Sequence, residues 1–182
     1  MTATRRQWAL VILGAWIAGS ICMSVVATEN FYTIDRLLET STNAEFHRGV
    51  QQLGHAPARD LMRYLSSELN RLYFQAWNVA QLVLGGLALW LLATSPAQSA
   101  LQDAQRRRAL WGVAAMLAVV VLMLGYLTPQ IVSLGRSLDF VPRDPAPPGM
   151  QKFWILHAAY TSLEMVKLLV GFVAAWWIVK SG

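Results

Sequence analysis

Four stretches of this chain, residues 8–28, 73–93, 109–128 and 153–179, are each a nearly unbroken apolar run of about twenty residues or more. As an α-helix rising about 1.5 Å per residue, such a run crosses the roughly 30 Å hydrocarbon core of a bilayer. In hydrocarbon no water satisfies backbone N–H and C=O groups, so a spanning segment is either a helix or a strand of a closed barrel. None of the four runs alternates polar and apolar residues as barrel strands do. The sequence therefore predicts an all-α integral membrane protein, a four-helix bundle forming one domain over residues 1–182. Composition agrees, with 55% hydrophobic and only 14% charged residues.

The basic residues orient the bundle. Arg5, Arg6, Arg106, Arg107, Arg108 and Lys180 all fall at one end, with Asp103 the only acid among them, whereas the connections at the other end carry eight basic and eight acidic residues. Short connections rich in Lys and Arg stay on the cytoplasmic side, which predicts cytoplasmic termini and an extracytoplasmic region 29–71. The net charge of +5 reflects this asymmetry and gives no argument for nucleic acid. Two arginines, an apolar run and Val25-Val26-Ala27 have the outline of a secretory signal, but the run is long for one and reads as a retained span. The one cysteine, Cys22, cannot form a disulfide within the chain, and it reads as a small buried apolar residue.

Region 29–71 is too long for a plain connection and predicts helical structure of its own. A short helix starts near Asn43, a break falls at Leu53-Gly54-His55-Ala56-Pro57, and a continuous helix then runs from about Ala58 to Ala93. In the first span, Ala15, Gly19, Ser20, Ser24 and Thr28 suggest a seam for close packing. After the third span Pro129 predicts the start of a departure from the span, and the four prolines between Asp139 and Gly149 predict an ordered loop or an extended crossing.

The fourth span is the one that carries polar chemistry. His157, Tyr160, Thr161, Glu164 and Lys167 fall within an arc of roughly 120° at about 100° per residue. Charges in hydrocarbon are costly and usually face a bundle interior, so Glu164 and Lys167 are expected to pair there. Counting along the helices puts Asn78 and Gln81 of the second span and Ser20 and Ser24 of the first at the depth of that pair. The expectation is one polar layer built from three helices, with His157 and Tyr160 at its outer mouth.

Thr128-Pro129-Gln130-Ile131 after the third span and Phe153-Trp154-Ile155-Leu156-His157 opening the fourth resemble the small four-helix membrane proteins related to transmembrane protein 205, including their bacterial branch of unknown function. Thr128, Pro129 and Ile131 match that family's T-P-x-[IV] element, and Leu156 and His157 match its L-H-G-x-S opening. The family's Gly, Ser and Asn positions are here Ala158, Tyr160 and Glu164. The resemblance implies the four-span fold and the position of His157, and it transfers no chemistry; the expected location is a bacterial inner membrane.

No phosphate loop, no H-E-x-x-H pair and no nucleophile with an evident base is present, so the sequence argues against an enzyme. The expected function is a non-enzymatic accessory or structural subunit docked to other membrane protein subunits in the lipid bilayer. The alternative is a small transporter or ligand-binding protein using the polar face of the fourth span. Under that alternative His157, the one histidine within a span, would be the axial ligand of a haem or chlorophyll, since one imidazole suffices for a five-coordinate tetrapyrrole.

Overall fold

A computed structural model describes residues 3–96 and 99–180. The extreme ends, on which the expectation of cytoplasmic termini falls, lie outside the described residues. The elements are α1 (Ala3–Thr40), α2 (Ala44–Leu53), α3 (His55–Ala93), α4 (Ala100–Leu122), a π-helical turn (Met123–Leu127), α5 (Thr128–Ser137) and α6 (Met150–Lys180). No strand occurs among the described residues. Four stretches are long and apolar enough to cross a membrane: Ala3–Thr40, His55–Ala93, Ala100–Ser137 and Met150–Lys180.

Helix α1 does not stop where its apolar run stops at Thr28. It continues to Thr40, because Glu29–Thr40 contains neither Gly nor Pro and buries Ile34 and Leu38. The change of polarity marks the end of the apolar run, not the end of the helix. Asn43 then caps α2, its Oδ1 accepting from the backbone N–H groups of Glu45 at 3.0 Å and Phe46 at 3.1 Å. Gly54, at φ 86°, makes the break the sequence suggests. Helix α3 begins there and runs unbroken to Ala93, with Pro57 in its first turn, where a missing N–H costs no helical bond.

Together α1 and α3 form an antiparallel hairpin about 57 Å long by the helical rise, and polar contacts hold it together beyond the apolar runs. Asn30 donates to Asn70 at 2.6 Å, Asn70 donates to the Ala27 carbonyl at 3.0 Å, and Arg59 donates to Asp35 at 2.8 Å. At the opposite, arginine-rich end, Arg5 donates to the carbonyl oxygen and hydroxyl of Thr94, and Arg106 donates to the Leu92 carbonyl at 2.9 Å. These arginines satisfy the open carbonyls at the C-terminus of α3.

Pro129 does not end the third span. The chain widens into the π-helical turn just before it, with the Thr128 N–H reaching back to the Met123 carbonyl, and α5 then continues to Ser137. A wider turn accommodates a proline ring that would clash with the carbonyl four residues earlier. The proline-rich segment that follows is tied to the hairpin, since Arg71 donates to Asp139 at 3.0 Å and also pairs with Glu68. Gly149, at φ 92°, ends it, and its carbonyl accepts from Phe153 N–H at 2.9 Å as α6 begins.

Helix α1 packs on α3 and α6, and α4 packs on the same two helices, which closes a ring of four. Buried residues recur at alternating spacings of three and four: Ala9, Leu13, Trp16 and Ser20 on α1, Asn78, Gln81, Gly85, Ala88 and Leu92 on α3, and Glu164, Lys167, Gly171, Ala174 and Ile178 on α6. That is the repeat of helices packed at small crossing angles around one seam. Small residues let the seam close: a Cβ on Gly85 would meet Leu117 Cδ2 at 2.4 Å, and one on Gly171 would meet Ile17 Cγ1 at 3.1 Å. The expected seam on α1 is narrower than its five small residues suggest. Gly19 sits under the Trp77 ring and Ser20 is buried, but Ala15, Ser24 and Thr28 are exposed, as is Cys22.

Candidate functional site

The seam is apolar from the arginine-rich end up to Gly171, and there it changes character. Lys167 is the next seam residue of α6. Its side chain is fully buried, and Nζ donates to Glu164 Oε1 at 2.7 Å and to Gln81 Oε1. The pair forms because residues three apart on a helix lie on one face, and both belong to the buried repeat. Gln81 Oε1 also accepts from Trp16 Nε1 at 2.9 Å, while Gln81 Nε2 donates to Asn78 Oδ1 at 3.2 Å. Asn78 in turn reaches Thr128 Oγ1 at 3.5 Å. One connected network thus joins α1, α3, the start of α5 and α6.

The expected polar layer is therefore present in its main parts. Glu164, Lys167, Asn78 and Gln81 come together, and all four are buried. Three residues depart from the expectation. Thr161 is exposed on the bundle's outer surface. Ser24 spends its hydroxyl on the Ser20 carbonyl of its own helix, at 3.0 Å, and stays out of the layer. Ser20 is at the right depth and 2% exposed, yet its hydroxyl has no hydrogen-bond partner in the protein. Trp16 and Thr128 are the members that sequence reasoning missed. The signal for Trp16 lay in the Ala9, Leu13, Trp16, Ser20 spacing, which puts the indole on the seam instead of in an interfacial belt. For Thr128 no such signal existed, because its position depends on the π-helical turn.

Above the pair, toward the α2 end, the groups that carry or accept protons climb α6 in single turns. Glu164 Oε2 is buried without a hydrogen-bond partner in the protein. Tyr160 lies close enough to Asn78 and Glu164 to interact electrostatically, but its hydroxyl makes no hydrogen bond of standard geometry, and its ring meets Phe74 edge-on at 5.6 Å. One turn further out, the His157 ring lies 4.9 Å from Phe153 and 6.1 Å from Trp154, with Nδ1 buried and unpartnered. Glu164, Tyr160 and His157 thus follow one another in single turns along α6 toward its Met150 end.

Below the pair the α6 seam offers no polar group from Lys167 to Ile178, about 16 Å by the helical rise, with Gly171 and Ala174 between them. Trp16, Leu13, Met116, Val113 and Leu92 fill the space beside them. Among the described residues Glu164 is the one buried carboxylate, so no second acid faces the pair from α1, α3 or α4. No cluster of three or more His, Cys, Asp or Glu side chains occurs among the described residues. One cleft beside α4 and another beside the proline-rich loop both lie away from His157.

Searches against protein-family models, curated proteins and solved structures return no match for this chain.

Proposed function

We propose that this chain is a non-enzymatic membrane protein of the carrier class, in which the Glu164–Lys167 pair is a proton-loading site reached from the α2 end. The observation that carries this reading is the asymmetry around the pair. Polar side chains line one side of it, one carboxylate oxygen is left unpartnered, and an apolar plug closes the other. A buried ion pair is a poor device for stability alone, since apolar residues of similar volume often serve as well or better. An ionisable residue inside a span is by default a functional candidate on a proton, ion or substrate pathway. The basic residues at the plugged end support a cytoplasmic position for it and an extracytoplasmic position for α2.

Accessibility to an impermeant thiol reagent tests the reading. In a Cys22→Ser background, Tyr160→Cys is expected to react from the α2 side of sealed vesicles only, and Ala174→Cys, within the plug, from neither side. Reaction of Tyr160→Cys from the arginine-rich side, or from neither side while the unfolded protein reacts, would overturn it.

A second reading, an accessory subunit in a larger assembly, is supported by a separate observation. Leu61, Leu65 and Leu72 form a stripe on the part of α3 that precedes its apolar run, each more than half exposed. A stripe of this kind outside hydrocarbon is a docking surface for another chain. Mild solubilisation and identification of co-purifying chains tests it. Loss of those chains in Leu61→Ser/Leu65→Ser supports the reading, and a chain that purifies alone in the mildest detergent contradicts it.

A further inference from the structure

On the outer surface between α4 and α6, near the arginine-rich end, lies a cleft of about 410 Å³. Its walls are apolar, made by Trp111, Leu169, Val170, Val173 and Trp177, and Gly112 brings the two helices close, a Cβ there meeting Ala174 Cβ at 3.2 Å. Its volume is in the range of ligand pockets, roughly 300–1,000 Å³. At its mouth stands Arg108.

The three consecutive arginines differ in what they do. Arg106 is held by Asp103 at 2.6 Å and by the end of α3, and Arg107 pairs with Asp103 at 3.1 Å. Arg108 makes no ion pair or hydrogen bond in the protein among the described residues, and it sits one residue before the apolar run that begins at Ala109. A guanidinium without a partner at the edge of the hydrocarbon, above an apolar slot open to lipid, is complementary to one kind of molecule: a negatively charged headgroup carrying an acyl chain.

We infer that this cleft is a binding site for an anionic phospholipid, with the headgroup phosphate on Arg108 and one acyl chain between Trp111 and Trp177. The site differs from ordinary lipid contact in requiring both parts. The slot accepts the chains of either lipid, and the choice rests on net charge: the choline ammonium of a zwitterionic lipid offsets its phosphate and repels the Arg108 guanidinium, whereas an anionic headgroup brings no such cation. The inference does not depend on the proton-loading reading, because the cleft faces outward and shares no residue with the buried network.

Native mass spectrometry of the full chain in detergent, titrated with dioleoyl phosphatidylglycerol or dioleoyl phosphatidylcholine, tests it. The anionic lipid is expected to be retained about fivefold more, the ratio that one basic residue near an anionic surface supplies. Arg108→Gln is expected to abolish that preference while leaving phosphatidylcholine retention unchanged. Val173→Phe, which fills the slot, is expected to lower retention of both lipids. Glycerophosphoglycerol, the headgroup without its chains, is expected not to compete. Equal retention of the two lipids, a preference that persists in Arg108→Gln, unchanged retention in Val173→Phe, or competition by the free headgroup would each overturn the assignment.

Discussion

Replacing Glu164 by Gln removes the charge that faces Lys167 while keeping the volume and one acceptor oxygen. In the native protein Nζ of Lys167 has two acceptors, Glu164 Oε1 at 2.7 Å and Gln81 Oε1, and its side chain has no exposure through which water could take over. Removing one member of a buried pair leaves the other charge uncompensated, at a cost of about 3–5 kcal/mol. The retained amide oxygen places Glu164→Gln at the lower end of that range. Lys167→Met should cost as much, since it leaves a carboxylate that already has one oxygen unpartnered. The double variant Glu164→Gln/Lys167→Met removes both charges, and Gln81 keeps its bond from Trp16. It should recover most of the loss, because apolar replacements of whole buried pairs are often neutral or stabilising. Unfolding free energies in mixed micelles, measured for the four proteins of this cycle, give the coupling directly. Single variants within about 0.5 kcal/mol of wild type, or a double variant as unstable as the sum of the singles, would mean that Glu164 and Lys167 are not energetically coupled.

Three further outcomes follow from particular contacts. Gly85→Ala should destabilise the bundle by about 1–3 kcal/mol through overpacking against Leu117 and Trp16, whereas Gly86→Ala, with nothing within 4 Å, should be neutral or better in the same assay. Arg71→Met cuts the tie from α3 to Asp139, so backbone amides of 138–149 should exchange faster with deuterium while those of α4 do not change; unchanged exchange in the loop would mean that the prolines alone hold it. An introduced cysteine at Ser41, in a Cys22→Ser background, should be labelled only from outside the cell, and labelling only from the cytoplasmic side would reverse the orientation inferred from the arginines.

Much of this arrangement was legible in the sequence, for physical reasons that differ along the chain. The spans and the polar layer could be read because hydrocarbon imposes strong rules: apolar runs must be helical, and Glu164, Lys167, Asn78 and Gln81 must find one another or carry a large desolvation cost. Helix ends outside the lipid were harder. Nothing in the polarity of Glu29–Thr40 separates a helix in water from a loop, so the extension of α1 became visible only through its packing on α3. Pro129 misled because a proline rule describes α-helical geometry, and the chain used a π-helical turn instead. Thr161 and Ser24 misled in the opposite way, since a shared arc or depth does not say which side chains the neighbouring helices cover. The Arg108 cleft had no sequence signature, as Trp111 and Trp177 meet only once α4 and α6 pack together.

Proton uptake by Glu164 from the α2 side, against the Lys167 charge 2.7 Å away that opposes it, can be followed by infrared difference spectroscopy on sealed, uniformly oriented proteoliposomes given a step to strongly acidic pH on one side. A protonated-carboxyl C=O band should appear when acid is added on the α2 side and should be missing in Glu164→Gln. The band should not form on the same timescale when acid is added on the arginine-rich side, where the plug between Gly171 and Ile178 separates the pair from water. A band that is absent in wild type, unchanged in Glu164→Gln, or equally fast from both sides would rule out proton loading of Glu164 from the α2 side.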